Sequence, residues 1–323
     1  MTILVTGAAG FIGYHVADAL LARGQEVVGV DNLNSYYEVS LKDARLEKLT
    51  AQKGFIFRRL DLSDRDKMLE LAETYPDITH IVHLGAQAGV RYSLIDPYAY
   101  ITSNIMGHVV VLELARKLKQ LVHTVYASSS SVYGNNSTVP FSVDTPADEP
   151  QSLYAATKRA DELISYTYSH LYDLKLTGLR FFTVYGPWGR PDMAPMLFSK
   201  AILEGSPINV FNNGKMWRDF SYIDDIVSGI IAAMERPSNL IPPHRVYNLG
   251  NSKSEKLTDF ISVLEASLGK KAQMKFMPMQ PGDVERTSAD TLDSQLDLGF
   301  SSSTSIDRGI PQFVKWYRDY YAV

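Results

Sequence analysis

A tyrosine and a lysine four positions apart have the side chains of a proton-transfer pair. Tyr154 and Lys158 lie in the segment YAATK, 23 residues after the four-serine run Ser128–Ser131. On a helix, positions i and i+4 share a face, so the ammonium of Lys158 can stabilise the phenolate of Tyr154. The result is a base usable near neutral pH, while a serine hydroxyl shares the proton of an alcohol being oxidised. The three groups together predict redox chemistry at an alcohol, whereas the pair alone would also suit a solvated helix face.

A glycine-rich segment, GAAGFIG, lies near the start of the chain. It follows a strand-like run and precedes a helical pattern. In that setting glycines let the backbone approach a pyrophosphate, which also gains from the positive end of the helix. The spacing is GxxGxxG, a variant of the general dinucleotide fingerprint. The cofactor-binding residues predicted in this turn are Gly7, Gly10, Phe11, Ile12 and Gly13.

The type of dinucleotide is indicated by Asp31, which lies 18 residues after Gly13 at the end of the second predicted strand. A carboxylate at this point accepts hydrogen bonds from the adenosine ribose hydroxyls and repels a 2′-phosphate. NAD is therefore favoured over NADP. A turn or cap role is the structural alternative for Asp31.

The composition is that of an ordinary globular protein. The 323 residues are 45% hydrophobic and 21% charged, enough for one large core or for a core with a smaller lobe. A net charge of −4 without a basic stripe argues against a nucleic-acid partner. The absence of cysteine excludes disulfides and thiol catalysis. Since we find neither a leader-like segment nor an apolar run of membrane-spanning length, we expect a cytoplasmic protein with no membrane partner.

Strand-like and helix-like stretches alternate over the first part of the chain. Strands are predicted at 2–6, 26–30, 55–60, 78–84, 122–127 and 174–181, and helices after Gly10, at 104–119 and at 154–171. This alternation predicts an α/β fold with a doubly wound parallel sheet and right-handed crossovers. His80 and His83 on the fourth strand are interpreted as structural residues, and no metal site is predicted.

The alternation breaks at about Thr183. The segment GPWGRPDMAP is dense in glycine and proline, and later elements are shorter, apart from an amphipathic helix at 222–235. We expect an NAD-binding Rossmann domain at 1–182, which also receives about 222–250. The rest of 183–323 is expected to form a smaller, mixed and discontinuous substrate lobe.

In their order and spacing, the glycine turn, the serine run and YxxxK resemble the extended short-chain dehydrogenase/reductases. The segments RFFTVYGPWGRPDMAP at 180–195, WRDFSYIDD at 217–225 and QPGDV at 280–284 resemble the nucleotide-sugar branch, so the likeness spans essentially the whole chain. Within that branch, AQAGVRYS at 86–93, ASSSSVYG at 127–134 and GPWGRPDMA are similar to those of UDP-glucuronate 4-epimerases. The resemblance implies interconversion of UDP-glucuronate and UDP-galacturonate through a 4-keto sugar, with tightly bound NAD recycled.

The resemblance also assigns catalytic roles. Ser129 is the catalytic hydroxyl, Ser131 faces the sugar, Tyr154 takes the proton from O4, and Lys158 holds the nicotinamide ribose. Oxidation at C4 of a glucuronate makes a β-keto acid that readily loses CO₂. Related decarboxylases carry an acidic residue at the position of Ser131, and related 4,6-dehydratases carry an Asp-Glu pair in the same run. Both reactions are therefore disfavoured here.

Substrate recognition is expected to depend on Arg190. An arginine fork binds a carboxylate through two N–H groups, and Thr183 could donate to the same carboxylate. A surface position or a phosphate contact is the alternative for Arg190. The resemblance assigns Arg218 and Asp283 to the diphosphate and the uridine ribose, with a buried ion pair as the alternative for Arg218. The predicted substrate-binding set is Arg91, Ser130, Ser131, Thr183, Arg190, Arg218 and Asp283.

For the cofactor, the resemblance implies an adenine contact at Asp61 and Leu62. It also implies a contact from the loop HLGAQAG, where Gly85 replaces the usual alanine. Asn104 could be a helix cap, a sheet-supporting residue or a direct cofactor contact. The cofactor-binding residues predicted outside the glycine turn are Asp31, Asn32, Asp61, Leu62, Leu84, Gly85, Ala86, Asn104, Tyr154, Lys158, Phe181 and Val184.

Two other functions are compatible with the sequence. A 4-epimerase of neutral UDP-hexoses or UDP-N-acetylhexosamines would differ in its carboxylate-binding residues. A non-catalytic protein that binds NAD and a nucleotide sugar would have no need of Ser129, Tyr154 and Lys158. The resemblance implies a homodimer, since the family often dimerises through the helices that correspond to 104–119 and 154–171, and the apolar stretch 109–114 suits a four-helix contact.

Overall fold

The structure, a computed structural model, describes residues 1–136, 138–280 and 283–323. The strands are β1 Thr2–Thr6, β2 Glu26–Asp31, β3 Phe55–Arg59, β4 Ile78–His83, β5 His123–Ser129, β6 Leu176–Phe181, β7 Thr183–Tyr185, β8 Pro207–Val210, β9 Trp217–Tyr222, β10 His244–Leu249, β11 Ser254–Lys256 and β12 Gln273–Phe276. The helices are α1 Phe11–Ala22, α2 Val39–Thr50, α3 Arg65–Leu69, α4 Leu71–Thr74, α5 Pro97–Tyr100, α6 Gly107–Lys117, α7 Leu153–Tyr172, α8 Ala194–Glu204, α9 Ile223–Glu235, α10 Leu257–Leu268, α11 Leu292–Leu298 and α12 Ile306–Tyr321. A π-helical stretch, Ile101–Met106, connects α5 to α6.

Among the described residues, seven strands form one parallel sheet in the order β10-β6-β5-β4-β1-β2-β3. The chain runs outward from β1 to β2 and β3, then returns to place β4 on the other side of β1. A crevice opens at such a switch point, outside the carboxyl ends of the strands. The predicted doubly wound α/β fold is confirmed.

The six strands predicted in the first part of the chain each agree with the observed strands to within two residues at either end. The predicted helix at 104–119 differs more, because it begins inside the π-helical stretch and its α-helical part is Gly107–Lys117. A π turn interrupts the regular helical period, and such turns occur frequently at functional sites. A pattern search at the α-helical period does not detect this interruption.

Helices cover both faces of the sheet. On one face α1 packs against α9, and on the other α6 packs between α3 and α7. The side chains of Val110, Val111, Leu112 and Leu114 are buried within the subunit. These four side chains form the subunit's own core, so a dimer contact by the stretch 109–114 could use Val109 and Glu113, which are partly exposed, and it stays a prediction.

The C-terminal part adds two small sheets to the large one. One has the order β11-β9-β7, and the other pairs β12 with β8. Helix α9 and strand β10 return to the large sheet, where β10 pairs with β6. The division into two domains stays a prediction. Across the described residues, no helix is both long and apolar enough to cross a membrane.

A buried ionic cluster connects α7 to β5 and β6. Arg180 donates from Nε and Nη2 to the two oxygens of Glu162, at 2.8 Å each, and the Ser128 hydroxyl donates to Glu162 at 2.6 Å. Burial alone would raise the pKa of Glu162, but the bonds from Arg180 and Ser128 outweigh it and lower that pKa. The cluster holds the first turns of α7, which carry Tyr154 and Lys158, against the end of β5.

We expect Glu162→Gln to destabilise the protein by about 3–5 kcal/mol, because it leaves Arg180 buried without its anion. Urea unfolding measures the loss. The matched control is Glu113→Gln, which removes the charge of a half-exposed carboxylate that is bound by Arg116 at 2.9 Å and by the Tyr168 hydroxyl at 2.8 Å, and it should cost less than about 1 kcal/mol. A similar small loss in both variants would show that the buried cluster does not anchor α7.

Candidate active site

A cleft of about 1030 Å³ lies over the carboxyl ends of the sheet strands. Its volume is at the upper end of the usual range for small-molecule sites. The wall contains residues from the ends of β1 to β6 and from the C-terminal part of the chain. All of the predicted site residues line it except Asn104. The prediction had thus gathered residues that are distant in sequence but close in space.

The glycine turn forms the floor of the cleft beside α1. Gly7 adopts a φ of +70°, and a Cβ built on Gly13 would lie 2.0 Å from the carbonyl oxygen of Gly7. Glycine is therefore required at both positions. No side chain caps the N-terminus of α1, and Gly10, Phe11 and Ile12 line the cleft at that end. The first N–H groups of a helix need an acceptor from elsewhere, and a pyrophosphate supplies one.

Two aspartates shape the far end of the glycine turn. Asp31 accepts hydrogen bonds from the backbone N–H of Ala9 at 3.1 Å and of Leu33 at 2.9 Å, while burial raises the pKa of this carboxyl group. Asp61 accepts from the Asn32 amide at 2.7 Å. Asp31 thus has the turn role considered from the sequence, and it also lines the cleft where a ribose hydroxyl could reach it.

The loop after β4 is held from beneath. The backbone N–H of Gly85 donates to the hydroxyl of Thr6 at 3.1 Å, and that hydroxyl lies 2.7 Å from Nδ1 of His83. Burial lowers the pKa of His83 well below its ordinary range, so the ring is neutral. The structural interpretation of this histidine fits these contacts.

Asn104 connects the same loop to α7. Its side chain accepts from the backbone N–H of Gln87 at 2.8 Å and donates to the Gln87 carbonyl at 3.1 Å and to the Thr157 hydroxyl at 3.0 Å. Of the three roles considered, these contacts fit a supporting one. Its inclusion among the cofactor-binding residues stays a prediction, although its polar atoms are already engaged within the protein.

Ser129, Tyr154 and Lys158 share the central wall of the cleft. Ser129 is the last residue of β5, and its hydroxyl accepts from the backbone N–H of Ser131 at 3.2 Å. Helix α7 begins one residue before Tyr154, where the Ser152 hydroxyl caps it by accepting from a backbone N–H in the first turn. The wall therefore combines a hydroxyl, a phenol and an ammonium, as proton transfer at a carbinol requires.

Arg190 lines the same cleft, with part of its fork already bound. Its Nε and Nη2 donate to the two oxygens of Asp192 at 3.0 and 2.8 Å, and Tyr36 donates to the same carboxylate at 3.1 Å. Burial disfavours the charge of Arg190, but Asp192 outweighs it and raises the arginine's pKa. The arginine is thus fixed in orientation and kept charged.

A second charged group lies at the uridine end predicted from the resemblance. Arg91 is 3.7 Å from Asp283, and its guanidinium lies 5.2 Å from the centre of the Phe211 ring. Arg218 donates to the carbonyl oxygens of Trp217 and Glu285. Two arginines beside one carboxylate leave a net positive charge, which suits a diphosphate. Pro281 and Gly282 of the predicted segment QPGDV lie outside the described residues.

Comparison with known proteins agrees with this geometry. Residues 3–250 match the family described as the NAD dependent epimerase/dehydratase family. The chain belongs to this family. UDP-glucuronate 4-epimerase 2 of Arabidopsis thaliana is 46% identical, over 99% of this chain and 76% of that protein.

Solved epimerases have the same fold. The UDP-glucuronic acid 4-epimerase of Bacillus cereus, in complex with UDP-glucuronic acid and NAD, superposes with a TM-score of 0.92 at 36% identity, over 99% of this chain and 100% of the other. The UDP-glucose 4-epimerase of Thermotoga maritima, solved with UDP-glucose, gives 0.89 at 29% identity over 99% and 100%. The family resemblance and the NAD cofactor predicted from the sequence are confirmed.

Several cleft residues of this epimerase-family chain were missed from the sequence. Lys42 donates from Nζ to the carbonyl and the side chain of Asn34, and burial lowers its pKa. Tyr36 and Asp192 surround Arg190, as described above. Asp192 had a usable signal, since a carboxylate two residues from an arginine in a loop is a candidate ion pair. Lys42 and Tyr36 had none, because neither belongs to a spaced motif.

We expect NAD to co-purify with the protein and Gly13→Ala to lose most of it. The added methyl would meet the Gly7 carbonyl, so the turn and the first N–H groups of α1 must shift. The measurement is NAD released on denaturation per mole of folded protein. The control is Gly24→Asn, at a left-handed position where an added Cβ meets no atom within 4 Å. Full NAD retention by Gly13→Ala would contradict the assignment of this turn.

Proposed function

We propose that this protein is a UDP-glucuronate 4-epimerase, which interconverts UDP-glucuronate and UDP-galacturonate through a 4-keto sugar and reuses tightly bound NAD. The observation that carries the proposal is the meeting of Ser129, Tyr154 and Lys158 with Arg190 in one cleft. The Bacillus cereus and Arabidopsis relatives, both UDP-glucuronate 4-epimerases by name, support the same substrate.

The chain's own residues carry the proton chemistry. NAD, held at the glycine turn, would supply the hydride chemistry at C4 of the sugar. Tyr154 receives the proton of the O4 hydroxyl and gives it back, while Ser129 shares that proton. Lys158 stabilises the phenolate of Tyr154 through its positive charge. Since the hydride and the proton are both returned, the reaction is redox-neutral.

The substrate carboxylate is assigned to Arg190, Thr183 and Ser131. In this proposal the substrate carboxylate binds to Nη1 of Arg190, because Nε and Nη2 already donate to Asp192. Loss of CO₂ requires the bond to the carboxyl group to align with the carbonyl π-system, and a fixed guanidinium with nearby hydroxyls opposes that alignment. The serine at position 131 adds no negative charge, whereas an acidic residue would repel the carboxylate.

A 4-epimerase of neutral UDP-hexoses is the second candidate, and the 29% identity with the Thermotoga maritima enzyme favours it over other activities. The positive charge of Arg190 can pair with the C6 carboxylate of a uronate, but it has no such partner in the neutral C6 hydroxymethyl group of a hexose. Incubation with UDP-glucose and UDP-N-acetylglucosamine beside UDP-glucuronate, without added NAD, therefore separates the candidates. Exclusive turnover of the neutral sugars would overturn the proposal.

We expect Tyr154→Phe to reduce conversion of UDP-glucuronate by about 10²–10⁴-fold, because it deletes the acid/base and leaves the cleft in place. Binding of UDP-sugar, followed by calorimetry, should change little. Tyr172→Phe is the matched control, since Tyr172 is an exposed tyrosine on the same helix. Near-normal turnover by Tyr154→Phe would refute the proton path.

We expect Arg190→Ala to lower kcat/KM for UDP-glucuronate by roughly 30-fold or more, as for loss of one member of a buried charge pair. Some UDP-pentose and CO₂ should appear, while turnover of UDP-glucose, if present, stays nearly unchanged. Asp192→Asn is the opposing control: with its competing anion removed, Arg190 should bind the uronate more tightly and KM should fall. A normal Arg190→Ala enzyme without CO₂ release would place the carboxylate elsewhere.

We also propose a homodimer, to which an apolar surface outside the stretch 109–114 contributes. Exposed apolar side chains lie near the start of α5, on the π-helical stretch and on the outer face of α7. The α5 helix and the π-helical stretch both contact α7, so several of these side chains lie on neighbouring elements, as at an interaction site. Its members are Leu94, Ile95, Tyr98, Ile101, Met106, Leu163 and Tyr166. The cytoplasmic location and the absence of nucleic-acid and membrane partners stay predictions.

A further inference from the structure

A carboxylate lies directly behind the lysine of the active site. Asp161 is three residues after Lys158 on α7, and its Oδ2 accepts a hydrogen bond from the Lys158 ammonium at 3.1 Å. The side chains are 1% and 4% exposed. Lys158 lines the cleft, whereas Asp161 lies on the protein side of the ammonium. The cation that serves Tyr154 is therefore shared with an internal anion.

The neighbouring carboxylate shows why this pair is unusual. Glu162 has both oxygens bound, by Arg180 and Ser128 among others. In the part of the chain that the structure describes, Oδ1 of Asp161 has no hydrogen-bond partner. An ionised carboxylate buried with one oxygen unsatisfied is costly. Its ion-pair partner is the same ammonium that the active site requires.

The groups packed around Asp161 do not balance its charge. His108 of α6 bonds the Ser165 hydroxyl at 2.8 Å and stacks on His83 of β4. Burial lowers the pKa of His108 to about 3 and that of His83 well below its ordinary range, so both rings are neutral. Burial also raises the pKa of Tyr126 on β5, which is therefore uncharged. Glu162, the remaining charge nearby, is paired with Arg180 of β6.

Stability does not account for the ion pair. Burial raises the pKa of Asp161 from 3.8 to about 6, although Lys158 opposes the shift. A carboxyl group whose folded pKa is raised stabilises the fold when protonated, and this contribution is lost as pH rises from 3.8 to about 6. At neutral pH the ionised Asp161 therefore makes the fold less stable. A benefit of this carboxylate must then be functional and act through its ion-pair partner, Lys158.

We propose that Asp161 is a positioning residue of the active site, which fixes the Lys158 ammonium by one hydrogen bond and offsets part of its charge on Tyr154. With one N–H directed to Asp161, the ammonium has two left for the cleft. Protonation of Asp161 in mildly acidic solution would remove the opposing negative charge, so Lys158 would act on Tyr154 with its full positive charge. The Tyr154 phenolate would then be favoured at a pH where it otherwise takes up a proton. The inference rests on the proposed function through the roles of Tyr154 and Lys158.

The test measures ionisation of Tyr154 directly in the purified holoenzyme. Tyrosinate ultraviolet absorbance is followed against pH, and the curve of the same protein carrying Tyr154→Phe is subtracted. Asp161→Asn keeps the size and an acceptor oxygen but removes the charge. We expect the Tyr154 midpoint, and the acidic limb of kcat/KM, to move to lower pH by about one unit, as for loss of one nearby charge. A midpoint that coincides with the wild type would overturn the proposal.

A matched control is provided by Asp64→Asn, which removes the carboxylate of an exposed Asp–Lys pair with the same spacing at 2.6 Å. Its Tyr154 curve should coincide with the wild type, and an equal shift there would also contradict the proposal. Asp161→Ala removes the acceptor as well, so it should lose more bound NAD than Asp161→Asn. Equal retention in the two would show that the hydrogen bond does not position Lys158. Because ionisation is read without substrate, failure of this inference is distinct from failure to epimerise UDP-glucuronate.

Discussion

The active site depends on how α7 is attached to the sheet. Tyr154 and Lys158 belong to this helix, while Ser129 belongs to β5, so their chemistry requires the two elements to be fixed relative to each other. Glu162 provides the attachment through Arg180 on β6 and Ser128 on β5. Its bonds to Arg180 are bidentate, which fixes direction as well as distance. Within the serine run, Ser128 thus anchors the helix, while the neighbouring Ser129 lines the cleft, where we propose that it acts in catalysis.

Most of the fold could be predicted from the sequence because its determinants are local. Apolar runs that end at Asp31 or at the serine run mark strands of a parallel sheet, and helical spacing marks the crossovers between them. The catalytic motifs belong to these regular elements, so their places at the strand ends followed from the sheet order. The π-helical stretch around Asn104 was not predicted, because it depends on contacts with Gln87 and Thr157 that are distant in sequence.

The site was predicted less completely than the fold, for an electrostatic reason. The sequence motifs identified Lys158, Arg190 and Arg91, but the ion pairs that these cations form with Asp161, Asp192 and Asp283 were not predicted. Asp161 lies three residues after Lys158 but outside the motif YAATK, whereas Asp192 lies in the same segment as Arg190 and was still not predicted as its partner. Tyr36, more than a hundred residues away, contacts Asp192 only because the fold brings the two loops together.

Three cleft cations each lie beside an aspartate: Lys158 beside Asp161, Arg190 beside Asp192, and Arg91 beside Asp283. An unpaired cation in a partly buried cleft would be costly, and it would be free to swing. Pairing favours one orientation of each cation before any ligand arrives. An anionic substrate then either binds beside an existing ion pair or replaces its aspartate. In both cases the aspartate lowers the net affinity of the cation for the substrate.

A lower affinity matters for an epimerase, because the sugar must rotate within the site between the two hydride transfers. Moderate, replaceable contacts permit that rotation, whereas bare cations would hold one orientation too firmly.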